Sequence, residues 1–212
     1  MNRFQTAVST VALFVAGLSF AGCTPGGVGD PCIPEDEYGT TFAGYGVDEF
    51  YIEAMSFQCE TRLCLVNHFQ GRVSCPYGQK ADVDENGVAG TNFGKLTEDQ
   101  RCKIPDGTGK TFVDVEVQAQ LYNRQAKDAV YCSCRCDGPD KNSRYCECPS
   151  GYSCTLLNEI NLSAAQLLGS YCVRKGTQYK KNELSTEECS VEKNQMCGYE
   201  GYAENVNPFG AK

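Results

Sequence analysis

The residues best equipped for chemistry are the cysteines. The chain has 15 of them in 212 residues. Six crowd into one stretch, Cys132-x-Cys134-x-Cys136-x9-Cys146-x-Cys148-x5-Cys154. Sulfur at that density has two common uses. Reduced thiolates hold zinc or an iron–sulfur cluster. Oxidised cysteines form the disulfides that staple small exported domains. The cluster has no neighbouring histidine, and no Cys-x-x-Cys pair occurs anywhere in the chain. That spacing also excludes the thioredoxin-type redox motif and covalent haem attachment. The expectation is disulfides, with no metal and no cofactor.

Other groups are less pointed. His68 is the single histidine, and it lies with Asn67 and Gln70 in a stretch of hairpin-loop length. A triad nucleophile needs a base held by an orienting acid. No Gly-x-Ser-x-Gly setting is present, so His68 reads as a loop residue. Asp82-Val-Asp84-Glu-Asn86-Gly87 is similar to the start of a calcium loop, in which spaced oxygens wrap a hard cation. Its twelfth position is Phe93, where a bidentate glutamate is required. An acidic turn is the plainer reading of Asp82, Asp84 and Asn86. Carboxylates are plentiful, but no glycosidase-type pair stands out.

The compartment follows from the first residues. Arg3 gives a short positive start, residues 7–20 are almost wholly apolar, and Ala21-Gly22-Cys23 ends the run with small residues. That is the order of a secretory signal. The apolar run is shorter than the ~20 residues of a membrane-spanning helix. Phe20-Ala21-Gly22-Cys23 resembles the lipobox of bacterial lipoproteins. The resemblance implies cleavage before Cys23 and diacylglycerol with palmitate-type acylation on it. Thr24, in place of aspartate, implies the outer membrane rather than retention at the inner one. Several acyl chains anchor stably where one would not.

Composition agrees with export. Lys and Arg number 19 against 27 Asp and Glu, a formal net charge of −8. An acidic chain of this kind is not a nucleic-acid binder, which needs a basic face to displace counterions. Setting Cys23 aside leaves an even set: Cys32, Cys59, Cys64, Cys75, Cys102, Cys132, Cys134, Cys136, Cys146, Cys148, Cys154, Cys172, Cys189 and Cys197. Seven disulfides are then possible, with connectivity open.

The elements that must carry these cysteines are short. Strands are predicted at residues 49–53, 63–66, 72–75 and 129–131. Residues 111–118 alternate apolar and polar side chains, the pattern of a half-buried strand. A short capped helix is predicted at 163–168. The fold class expected is small and disulfide-rich, mainly β hairpins and irregular loops with one short helix, in one or two modules. The divisions are a signal at 1–22, a flexible tether at 23–31 that lifts the body off the membrane, and a cysteine-rich module at 32–78. A linker or surface loop follows at 79–101, then a second module at 102–175 and a polar tail at 176–212 that Cys189 and Cys197 could staple.

Two further resemblances are local. Cys59-x4-Cys64-Leu65 is similar to units of cysteine-rich lipoproteins from predatory and social bacteria. Cys146-Glu-Cys148-Pro-Ser-Gly151-Tyr152-Ser-Cys154 resembles the C-terminal half of an EGF-like module, which implies a two-stranded hairpin under disulfides. Together these readings lead to an expected role: a lipid-anchored, non-catalytic binding or structural module of the cell envelope. Its membrane contact is the N-terminal lipid, and its partners are an envelope protein or polysaccharide. The alternatives are an envelope-glycan hydrolase using carboxylates and a calcium-dependent surface module.

Overall fold

The computed structural model describes residues 26–81, 96–98, 101–157, 167–180, 182 and 186–199. Cys23, the loop residues Asp82, Asp84 and Asn86, and residues 163–166 of the predicted helix lie outside these.

The chain forms a small disulfide-rich β fold. Strands β1 (Phe50–Glu53), β2 (Leu63–Asn67) and β3 (Val130–Ser133) make an antiparallel sheet in that order. Strands β4 (Arg135–Asp137), β5 (Tyr152–Leu156) and β6 (Ser170–Arg174) make a second sheet, with β6 central. The helical elements with defined bounds are a 3-10 turn at Glu35–Tyr38 and a single turn, α1 (Ala126–Ala129), leading into β3. No helix among the described residues is long and apolar enough to cross a membrane.

Strand β2 is buried on both faces, which explains its unbroken Leu-Cys-Leu-Val run. Cys64 and Val66 pack with Phe69, Val73, Val130 and Cys132 on one side. Leu65 joins Ile52 and Tyr131 on the other, where Tyr171 and Val173 of the second sheet complete a shared core. The Tyr131 hydroxyl is not left unpaired there: it accepts the Arg174 N–H at 2.9 Å. The first sheet therefore takes strands from both sides of the expected 79–101 linker.

Three stretches differ from their sequence reading. Residues 72–75 are a tight turn rather than a strand, closed by a single bridge between Arg72 and Cys75. The cause is the Arg72 side chain, which points inward and donates to the carbonyls of Glu37, Gly39 and Phe42. Residues 111–118 keep the expected alternation, with Val113 and Val117 buried and Asp114 and Gln118 exposed. They form only isolated bridges, at Phe112 and Val117. A side chain replaces the missing neighbour strand: Gln79 donates to the carbonyls of Val113 and Val115 at 3.0 and 2.9 Å and accepts the Cys102 N–H at 2.7 Å.

The third stretch is the tether. Residues 26–31 are fastened to the body instead of free. Gly26 N–H donates to Gln58 O at 2.7 Å, and Glu60 N–H donates to Gly26 O at 2.9 Å. Gly29 N–H reaches Cys132 O, and Cys132 N–H reaches Asp30 O, both at 2.8 Å. Gly29 has a φ of +101°, and a Cβ there would meet the Tyr152 hydroxyl, so any other residue is strained there. The tail also docks. Tyr122 N–H donates to Glu187 O at 2.8 Å, and Cys189 N–H to Gln120 O at 2.7 Å.

The buried hub is the Glu37–Arg72 pair. Both side chains are fully buried, with Arg72 Nε 3.8 Å from the carboxylate. Val73 N–H, Ser74 N–H and Ser74 Oγ–H donate to the carboxylate at 2.6, 2.9 and 2.6 Å. Burial pushes the Glu37 carboxyl up, while the Arg72 charge and these donors pull it back. Removing one member leaves the other charged and unpaired, a cost of about 3–5 kcal/mol. Glu37→Gln is expected to lose that much in urea unfolding with the disulfides intact. A loss below about 1 kcal/mol would show that the pair does not hold the 35–45 segment in place.

Candidate functional site

The chemistry that the sequence singled out resolves into a covalent framework. All fourteen cysteines after Cys23 pair: Cys32–Cys64, Cys59–Cys132, Cys75–Cys102, Cys134–Cys146, Cys136–Cys154, Cys148–Cys172 and Cys189–Cys197. In both sheets, cysteines that face each other across paired strands bond elsewhere. Cys64 and Cys132 face each other across β2 and β3, yet each bonds to a loop cysteine. Cys154 and Cys172 face each other across β5 and β6 without bonding to each other: Cys172 bonds to the loop residue Cys148, and Cys154 reaches across the sheet to Cys136 on β4. Cys32–Cys64, Cys59–Cys132 and Cys148–Cys172 thus pin loops to the sheets, adding covalent restraint to small apolar cores.

The sulfurs stack. Cys172 Sγ lies 3.5 Å from Cys134 Sγ and 3.8 Å from Cys146 Sγ. None of these sulfurs carries a proton, so the contacts are dispersion rather than hydrogen bonds. The same sulfurs form close groups of three, as do Cys32, Cys59 and Cys132. A disulfide sulfur is not a thiolate, and thiolate is the form that ligates zinc or iron. The stretch resembling an EGF-like end enters β5 through Gly151, and the Lys175 N–H closes that end of the β5–β6 pair on Gly151 O at 2.8 Å.

A groove of about 950 Å³ opens on the surface. Its walls are residues 43–46, 77–80 less Gly78, 116–119 and 188–192. It exists because three loops meet at glycine. Gly71, at φ +86°, exchanges two hydrogen bonds with Tyr45, and a Cβ there would strike Gln118 O. Lys80, Glu116, Glu188 and Glu192 give the groove mixed charge. Two of these carboxylates already serve the fold: Glu116 accepts Ala81 N–H at 3.0 Å, and Glu188 accepts from Gln70 at 3.2 Å. Tyr45 donates to Asp36 at 3.2 Å, and Tyr77 to Gln195 O at 2.8 Å.

His68 is not a free loop residue. It has a φ of +52°, is nearly buried, and stacks on Tyr179 with ring centroids 3.8 Å apart. Its Nδ1 is 3.1 Å from Val47 O. Arg124 donates to the carbonyls of His68, Asn67 and Thr177, capping the end of β2. His68 is therefore packed into structure rather than presented to the groove.

Sequence reasoning missed the buried polar residues Glu37, Arg72, Gln79, Gln120 and Arg124. Gln120 alone joins three segments: its Nε2 donates to Arg72 O at 3.0 Å and its Oε1 accepts Ala126 N–H at 3.1 Å, while its backbone holds Pro76 and Cys189. Local pattern gives no sign of this, since each partner is distant along the chain. No protein-family model matches the chain, no curated protein matches it, and no solved structure matches it.

Bridges that close long loops restrict the unfolded chain most. Cys59–Cys132 spans 73 residues and Cys189–Cys197 spans 8. The chain-entropy relation gives about 4 kcal/mol for the first and about 2.5 for the second. Replacing Cys59 and Cys132 together by alanine is expected to lower guanidinium stability more than replacing Cys189 and Cys197. Equal losses, or the reverse order, would contradict the role given to Cys59–Cys132.

Proposed function

We propose that this chain is a lipid-anchored, extracytoplasmic module that binds a partner in the cell envelope without catalysing a reaction. One observation carries the proposal: every cysteine after Cys23 is disulfide-bonded, so Cys23 is the odd one and sits where the lipobox resemblance requires a lipid. Disulfides of this density belong to oxidising compartments. The anchor supplies membrane attachment, and the lipobox with Thr24 favours the outer membrane. The mixed-charge groove beside Lys80 and Glu192 is the surface best shaped for an envelope polysaccharide or protein segment. Acidic net charge disfavours nucleic acid as that partner.

Intact mass of the native protein, before and after reduction, tests the anchor. The expected protein begins at Cys23, carries acyl mass, and gains two hydrogens for each of seven bridges. A first residue other than Cys23, or no lipid, would defeat the anchored reading. The groove is tested separately. Lys80→Glu combined with Glu192→Lys should weaken capture of the envelope partner by about tenfold or more while leaving the unfolding midpoint unchanged. Undiminished capture would place binding elsewhere.

An envelope-glycan hydrolase is the second reading, favoured by one group. Burial raises the Glu53 carboxyl, and the nearby Glu35 and Asp36 charges add to that, against the Glu35 N–H it accepts at 3.2 Å. A raised carboxyl is what a general acid requires. Release of soluble sugar from envelope glycans, abolished by Glu53→Gln with partner capture intact, would favour this reading over the first.

A further inference from the structure

We infer that the tip formed by Met55, Ser56 and Phe57 is a membrane-contact element that enters the headgroup region of the bilayer beside the lipid anchor. The inference rests on the anchored reading proposed above. Phe57 is 80% exposed and Met55 is 73% exposed, the former being the most exposed large apolar side chain among the described residues. Single exposed apolar residues need no explanation. Two at one tip, on a rigid support next to the attachment point, are a different matter.

The support is well defined. Ser56 N–H donates to Arg62 O at 3.1 Å and Arg62 N–H to Cys59 O at 3.0 Å, closing the loop. Cys59 is tied to Cys132 on β3. Gln58 grips Ile33 through both ends of its amide, at 2.7 and 3.0 Å. The tip cannot fold its apolar side chains inward without breaking these bonds.

The position of the anchor follows from Gly26. It pairs with Cys59 in a parallel bridge and bonds to both neighbours of Cys59, Gln58 and Glu60. Cys23 is three residues earlier in the sequence, and three residues span at most about 11 Å. Phe57 is two residues from Cys59. An anchored Cys23 therefore holds the tip within reach of the bilayer surface. The docking of residues 26–31 removes the free tether that would otherwise let the body stand away. Arg62 fits the same surface: its guanidinium lies 4.8 Å from the Phe57 ring centroid, where it can meet lipid phosphates as the ring enters the boundary.

The chain has no tryptophan, so Phe57→Trp supplies its only indole. The lipidated full-length protein would be reconstituted in phosphatidylethanolamine–phosphatidylglycerol vesicles, with and without brominated acyl chains. The control is Met196→Trp, a position 75% exposed on the loop that Cys189–Cys197 closes. Emission from position 57 should fall about twofold with brominated lipid, as shallow burial in the acyl boundary requires, while emission from position 196 stays unchanged. Intact mass of the same sample reports the lipid. A sample without lipid overturns the anchored reading and this one with it. A lipidated protein that floats with vesicles while position 57 stays unquenched overturns this inference alone. An indole at 57 already shielded from aqueous iodide before vesicles are added would assign the tip to a protein surface, and would also overturn it.

Discussion

The Cys59–Cys132 bridge is the constraint on which most of the structure depends. It joins the loop after β1 to the start of the second cysteine-rich stretch, across 73 residues. Cys132 also faces Cys64 across the sheet, and its backbone holds Gly29 and Asp30. One residue thus fixes strand register, loop position and the entry of the N-terminal segment. Without it, pairing of β2 with β3 would have to close a long loop on hydrogen bonds and a few apolar contacts, at a substantial entropic cost.

A second layer of order is polar. Two buried arginines, Arg72 and Arg124, each gather three backbone carbonyls, all but that of Asn67 from segments outside the strands. Irregular backbone cannot satisfy itself as a helix or sheet does, so each buried carbonyl needs a donor brought from elsewhere. Gln79 and Gln120 do the same work with amides. Burial lowers the proton affinity of both arginines, yet no such shift nears neutrality for a guanidinium. The disulfides hold segments close, and the buried polar side chains choose their conformation.

This division explains what could be read from the sequence. The β2 strand was legible because Leu63 to Val66 form a short apolar run. The disulfide framework was legible because the cysteines are dense, even in number once Cys23 is set aside, and without a Cys-x-x-Cys pair or a neighbouring histidine. The 111–118 alternation correctly gave the buried face, but not the absence of a neighbouring strand, because Gln79 substitutes for one through its side chain. Residues 72–75 misled because Arg72 looks like a surface residue of an edge strand, and its partner Glu37 stands in an acidic run that reads as solvated. The groove was invisible because its walls meet only after the tail returns through Cys189. In each case the missing signal is a contact between residues far apart in the chain.

The central claim is that cysteines facing each other across paired strands bond elsewhere, with Cys32–Cys64, Cys59–Cys132 and Cys148–Cys172 tying loops to the sheets. Proteolysis of the native, unreduced protein after alkylation, followed by mass spectrometry of the linked peptides, tests it most directly. The account predicts a peptide containing Cys59 joined to one containing Cys132, and one containing Cys32 joined to one containing Cys64. Cys64 joined directly to Cys132, or either of them recovered as an alkylated free thiol, would contradict it.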